Sequence, residues 1–167
     1  MAEPFVEGLP VDALVLLVGP SGSGKSTWAA TRFRSDVILS SDAFRQLVAG
    51  DAADQAATPD AFTVLHTVAR ARLRRGLPTV VDATNLTERA RHGLLRAAGK
   101  EGRPVVAIVF DLSLERCLTQ NAARPGRRVP TEVVRRHRRE LTAALARLPE
   151  EGYAALHVLH DEDLPAS

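Results

Sequence analysis

The chain has 167 residues, 45% hydrophobic and 25% charged, the balance of one ordinary globular domain with enough length for a sizeable core. Its formal charge is only +2, yet the basic residues are 20 Arg and 2 Lys, a bias that suits phosphate recognition and equally suits a compositional drift alongside abundant Ala. Aromatic residues at 4% exclude a sheet of stacked aromatics as the organising feature, and the single cysteine, Cys117, excludes an intrachain disulfide or a cysteine-based zinc cluster.

In chain order, Met1 to Pro10 lacks the basic and apolar regions of a leader, and no apolar run approaches the length of a membrane span. A cytoplasmic protein with no membrane partner is expected. Ala13 to Val18, "ALVLLV", is an apolar run of the kind that forms a strand buried on both faces. Gly19 to Ser26 interrupts it, and a helix is predicted from about Lys25 to Phe33. Val37 to Leu39 reads as a short second strand. Ser40, Ser41 or Asp42 then caps a helix from about Asp42 to Val48, and Gly50 to Pro59 reads as a polar, Ala-rich loop.

Helical spacing of Phe62, Leu65, Val68, Ala69 and Leu73 predicts a helix over Asp60 to Arg75, ended by Gly76 and Pro78. Pro78 to Val81 is a third strand, leading into Asp82-Ala83-Thr84-Asn85. A helix from Thr87 to Lys100 and a strand from Val105 to Phe110 follow. Ser113 caps a helix to about Asn121, and Arg124 to Val129 forms an Arg/Gly/Pro loop. A long helix runs from Pro130-Thr131-Glu132 to Leu148, and Leu156 to Leu159 is the last strand. Strands alternating with helices predict an α/β fold with a central parallel sheet of about five strands and helices on both faces. No repeat or linker divides residues 1–167, so a single domain is expected, with an ordered core over about 10–160 and short fraying ends.

Gly19-Pro20-Ser21-Gly22-Ser23-Gly24-Lys25-Ser26 satisfies G-x-x-x-x-G-K-[ST] in full, directly after a buried strand and at the start of a helix. Gly19, Ser21, Gly22, Ser23, Gly24, Lys25, Ser26 and Thr27 are therefore candidate phosphate-loop residues. Glycine allows the backbone N–H groups to wrap an anion at a helix N-terminus. Lys25 is placed to reach the β- and γ-phosphates of ATP or another NTP, and Ser26 to ligate Mg²⁺. Asp82 ends the third strand at the sheet edge where open α/β sheets bind ligands. It either holds Mg²⁺ through water or braces the loop before the next helix. Asn85 and Arg89 are weaker acceptor-site candidates, Asn85 doubling as a turn residue and Arg89 as an exposed helix position.

Asp42 follows the second strand and faces the same sheet edge as the phosphate loop, where a kinase needs a carboxylate to take the proton of an acceptor hydroxyl. Arg45 lies one helical turn on, on the same face, suited to an anionic acceptor. Arg124, Arg127 and Arg128 sit in the position of a lid, where arginines neutralise charge on a transferring phosphoryl group; a solvated basic turn is the alternative. The run Arg135 to Arg139 covers more than one helix face, part of it exposed and part available to a nucleic-acid backbone.

Together "GPSGSGKST", "SSDAFR", "VVDATN", "RPGRRVP" and "EEGY", spread from about Leu14 to Tyr153, resemble the kinase module of the polynucleotide 5′-hydroxyl kinase family of phage and bacterial nucleic-acid repair proteins. The resemblance implies a P-loop kinase fold with an Arg-rich lid, and transfer of the γ-phosphate of ATP, with Mg²⁺, to the 5′-hydroxyl of RNA or DNA. It implies that Lys25 and Ser26 bind ATP·Mg²⁺, Asp42 is the general base, Arg45 binds the acceptor phosphate, and Asp82 supports the metal or acceptor. Arg124 and Arg128 would be the lid arginines, catalytic together with Lys25 and Asp42. Nucleic-acid 5′ ends are the expected partners, with the chain a monomer or homodimer. A kinase of a small hydroxylated molecule (an antibiotic, sugar acid or nucleoside) and an ATP-dependent regulatory switch are the competing readings.

Overall fold

A computed structural model describes residues 8–126 and 128–166. The apolar run near the N-terminus forms β1, Leu14–Val18, with all five residues fully buried. It is the middle strand of a five-stranded parallel sheet. β3, Thr79–Asp82, lies on one side and β4, Val105–Phe110, on the other; β2, Ile38–Ser40, and β5, Ala155–Leu159, form the edges, giving the order β2-β3-β1-β4-β5.

Alternate residues of β1 face opposite layers. Leu14, Leu16 and Val18 pack with Leu65, Leu73, Leu94 and Leu141, whereas Val15 and Leu17 pack with Ala29, Phe33, Phe110 and Cys117. The first layer carries α3, Thr58–Arg74, and α4, Glu88–Lys100; the second carries α1, Lys25–Arg32, and α5, Leu114–Ala123. α6, Thr131–Leu145, contributes Val134 to one layer and Leu141 to the other. Covering both faces is what an all-parallel sheet requires, and it explains why β1 and β4 read as unbroken hydrophobic runs.

Local chemistry sets the element ends. Ser40 caps α2, Ser41–Ala49, by accepting from the Ala43 N–H at 3.4 Å; Gly50, at φ 74°, ends it in a left-handed turn. Thr87 and Ser113 cap α4 and α5 in the same way. Among the expected boundaries that move, two do so because of a proline. α3 starts at Thr58 rather than Asp60, because Pro59 in the first turn forgoes an N–H that has no helical partner there. α6 stops at Leu145 rather than Leu148, because Pro149 has no N–H to give the Leu145 carbonyl; Leu148–Glu150 is a 3-10 turn. The Gly50–Pro59 loop also holds a 3-10 turn, Gln55–Ala57. Among the described residues no helix is long and apolar enough to cross a membrane.

Candidate active site

The C-terminal ends of β1, β2 and β3 are level with one another. Leu17 of β1 and Ser40 of β2 both align with Asp82 of β3, so the chain after each strand emerges at one edge of the sheet. From β1 comes the phosphate loop, from β2 the first turn of α2 with Asp42, and from β3 the segment beginning at Asp82. They open onto one cleft of about 1090 Å³, which Arg124 and Arg128 also line.

The phosphate loop enters α1 through Gly24 at φ 80°, with no side chain capping the helix N-terminus. Its N–H groups are thereby left for an anion, which the helix dipole also favours. Gly22, at φ 82°, passes so close to α5 that a Cβ there would lie 2.5 Å from the Cys117 carbonyl oxygen. Lys25 is 7% exposed and its ammonium donates to the carbonyls of Gly19 at 2.9 Å and Pro20 at 2.7 Å. These weak acceptors satisfy the charge in a position from which phosphate oxygens can take it over. Ser26 Oγ donates to Asp82 Oδ2 at 2.7 Å. A hydroxyl and a carboxylate oxygen facing a phosphate cradle are the hard donors Mg²⁺ prefers, and that ion needs only one or two protein ligands besides phosphate and water. The donor set fits.

On the α2 wall of the cleft, Asp42 and Arg45 form an ion pair across one turn of the helix. Arg45 is 6% exposed, and its Nε donates to the Ala52 carbonyl at 2.8 Å. Burial lowers its pKa below the usual arginine value. The pair holds the carboxylate to one rotamer at the cleft wall while the carbonyl fixes the guanidinium plane.

Asp82 is anchored by the segment after it. The Thr84 carbonyl accepts from the Gly19 N–H at 3.0 Å, and Asn85 Nδ2 donates to the Leu17 carbonyl at 2.8 Å. Beneath the segment lies Arg91 of α4, 1% exposed. It donates through Nη1 to the carbonyls of Asn85 at 3.0 Å and Leu86 at 2.8 Å, and through Nε and Nη2 to Glu151 at 2.8 and 2.5 Å. Tyr153 completes the cluster by donating its hydroxyl to Glu151 at 3.0 Å. Burial disfavours the Arg91 charge, but the bidentate carboxylate outweighs it and holds the pKa above the ordinary arginine value. Burial likewise works against the Glu151 charge, yet the hydrogen bonds from Arg91 and Tyr153 keep its pKa below the usual one.

The lid loop is closed at its base by Asn121, 5% exposed, whose Nδ2 donates to the Val129 carbonyl at 2.8 Å and whose Oδ1 accepts the Val129 N–H at 3.1 Å. Behind the lid, His137 of α6 lines the cleft, and its Nδ1 accepts the Ser21 N–H at 3.3 Å. Burial, then the nearby Lys25 and Arg136 charges, push this imidazole down to about 4, so it is neutral near pH 7.

The structure thus brings Ser21 through Thr27, Asp42, Arg45, Asp82, Arg124 and Arg128 to one cleft. Gly19 lies behind the cradle, against Phe110. Asn85 and Arg89 are not brought there. Asn85, 2% exposed at φ 48°, spends its amide on β1, and Arg89 is exposed on the first turn of α4 away from the cleft. Arg127 lies outside the described residues. Within Arg135 to Arg139, Arg138 pairs with Asp111 at 2.8 Å and Arg136 with Glu140 at 3.7 Å. Sequence reasoning missed His137 and the Arg91–Glu151 pair. His137 carries a usable signal, standing three residues after buried Val134 and four before buried Leu141.

The fold and the cleft define a P-loop kinase-like domain on a nucleotide-binding fold. The chain belongs to the AAA domain family, whose sequence model matches residues 14–148. It is 31% identical over 113 residues to the transcription factor bHLH140 of Arabidopsis thaliana, a match over 68% of this chain but only 12% of that relative. Among solved structures it is similar to a chain of a Pnkp1/Rnl/Hen1 complex, at 25% identity and a TM-score of 0.57, covering 72% of this chain and 42% of that one. The first curated and structural relatives are therefore much longer than the part this chain spans. A gluconokinase of Sinorhizobium meliloti, 18% identical with a TM-score of 0.55, shares the fold over 91% of this chain and 84% of its own. The APS kinase CysC of Mycobacterium tuberculosis, in complex with AMPPNP and APS, does so at 19% identity and a TM-score of 0.57, over 92% and 91%.

Proposed function

We propose that this chain is an ATP-dependent polynucleotide 5′-hydroxyl kinase, transferring the γ-phosphate of ATP to the 5′-OH end of RNA or DNA. The observation that carries the reading is the Asp42–Arg45 pair on the wall of the cleft that also holds the phosphate loop. Asp42 takes the proton of the acceptor hydroxyl as its oxygen attacks. Arg45, with one edge on Asp42 and the Ala52 carbonyl, offers its remaining N–H groups to the phosphodiester on the 3′ side of the same nucleotide. Lys25 exchanges its loop carbonyls for β- and γ-phosphate oxygens. Arg124 and Arg128 close over the transferring group and neutralise its charge.

Ser26, and Asp82 through water, would hold a Mg²⁺ ion, which would supply neutralisation of the phosphate charge. Ser26 and Asp82 are set for this by their mutual hydrogen bond and by the Asn85 and Arg91 anchors beneath them.

The deciding experiment incubates the protein with γ-labelled ATP, Mg²⁺ and a 5′-hydroxyl oligonucleotide, beside a panel of sugar acids, nucleosides and aminoglycosides. Label on the oligonucleotide alone supports the reading. Label on a small hydroxylated molecule with none on the oligonucleotide replaces it with a small-molecule kinase, and hydrolysis of ATP with no acceptor labelled replaces it with a regulatory switch.

A further inference from the structure

At the acceptor end of the cleft, one face of α3 carries Phe62, His66 and Arg70, spaced by four residues and so stacked along the helix. Phe62 lines both the main cleft and a shallow hollow of about 280 Å³ that continues from it, bounded by Pro59, Phe62, Thr63, His66 and Arg70. The Phe62 and His66 rings meet edge to face, with centroids 6.2 Å apart. Gly93 of α4 lies under His66; a Cβ there would stand 3.3 Å from the imidazole Cε1, so glycine gives the ring its seat. Burial and the nearby Arg70 charge lower the pKa of His66, which favours a neutral aromatic ring. Arg34, Arg103 and Arg138 are tied to carboxylates, whereas Arg70 is exposed and makes no ion pair among the described residues.

We propose that this face of α3 is a binding track for the nucleotides that follow the 5′ end of a single-stranded acceptor, with a base against Phe62 and His66 and a backbone phosphate on Arg70. The inference rests on the polynucleotide reading above and extends it from the reacting nucleotide to the polymer. Aromatic faces beside a cation are the usual means of holding single strands without reading sequence. The scale fits as well. Eight residues of helix advance about 12 Å, and a stacked strand advances roughly 3.4 Å per nucleotide, so the track spans about three to four nucleotides. A small metabolite seated at Asp42 does not extend that far.

The test is a length series of acceptors, each with a 5′-hydroxyl: a nucleoside 3′-monophosphate, a dinucleotide, a tetranucleotide and an octanucleotide. The expected result is a KM that falls about tenfold from the nucleoside 3′-monophosphate to the tetranucleotide, and no further for the octanucleotide. His66→Ala and Arg70→Gln each shrink that length advantage to about twofold. Anisotropy of a labelled tetranucleotide, without ATP, shows the same loss of affinity. A KM independent of length overturns the track. Variants that raise KM equally for all four acceptors make these residues structural and also overturn it. Failure of the underlying reading looks different: the wild-type protein then labels none of the four acceptors and binds no tetranucleotide.

Discussion

Replacing Glu151 with Ala leaves the Arg91 guanidinium buried at 1% exposure with two of its four hydrogen bonds gone. An ion pair broken from one side in this way costs about 3–5 kcal/mol, most of it from stranding the remaining charge. Against a typical total stability of about 5–15 kcal/mol the loss is large. At roughly 2–4 °C per kcal/mol for a chain of this size, the melting temperature falls by about 6–20 °C. Removing both partners at once, as Arg91→Met with Glu151→Leu, is far milder in charge, since no ion is stranded. The double variant still loses the hydrogen bonds to the Asn85 and Leu86 carbonyls, at about 1–3 kcal/mol for each acceptor left unmade. Urea unfolding of the wild type, Arg91→Met, Glu151→Leu and the double variant gives a complete cycle. A loss below about 1 kcal/mol for Glu151→Ala, or a double variant whose loss equals the sum of the singles, refutes the account of this pair as a buried, coupled unit. Amide exchange should also rise at residues 83–86, because the same guanidinium holds that segment under the site.

Asp42→Ala should cut phosphoryl transfer by about 10²- to 10⁴-fold while an ATP analogue still binds; retained transfer in a labelling assay removes Asp42 as the base. Gly22→Ala forces a Cβ against the Cys117 carbonyl at φ 82°. The backbone strain alone is about 1–2 kcal/mol, so calorimetry should show a lower melting temperature and weakened nucleotide binding. His137 has its folded-state pKa below its ordinary value, so the unfolded chain binds more protons between about pH 6.5 and 4. Stability from this residue is full above about pH 6.5 and is lost as pH falls towards 4. His137→Gln should flatten that part of the pH profile of urea midpoints, and an unchanged slope there rejects the buried His137 imidazole as its source.

The sheet was legible because its chemistry is local. β4 begins and ends where its apolar run does, and Ser113 and Thr87 announce helix starts through their own hydroxyls. The phosphate loop was legible for the same reason, since a contiguous octapeptide carries its whole mechanism. The second arginine of α4 was not. Arg89 and Arg91 look alike in the sequence, and only helical phase separates them: Arg91 shares a stripe with buried Leu94 and Ala98, whereas Arg89 faces solvent. Its partner Glu151 is sixty residues away, so nothing near Arg91 in the chain declares that its charge is satisfied. Asn85 was misplaced for a related reason. A polar residue just past a strand reads as facing the ligand, whereas here a left-handed backbone turns it back under the sheet.

The paired hydrogen bonds of Asn121 to Val129 have an engineering consequence. They shut the lid into a ring whose ends meet at one side chain, so the segment between them is mechanically a side branch of the body. The cost of closing such a ring grows only as the logarithm of its length, about 0.6 kcal/mol for each doubling. Residues can therefore be inserted near Gly126 with little disturbance to the sheet, re-spacing Arg124 and Arg128 along the cleft. The reach of the lid is a dial that can be turned while the scaffold stays the same.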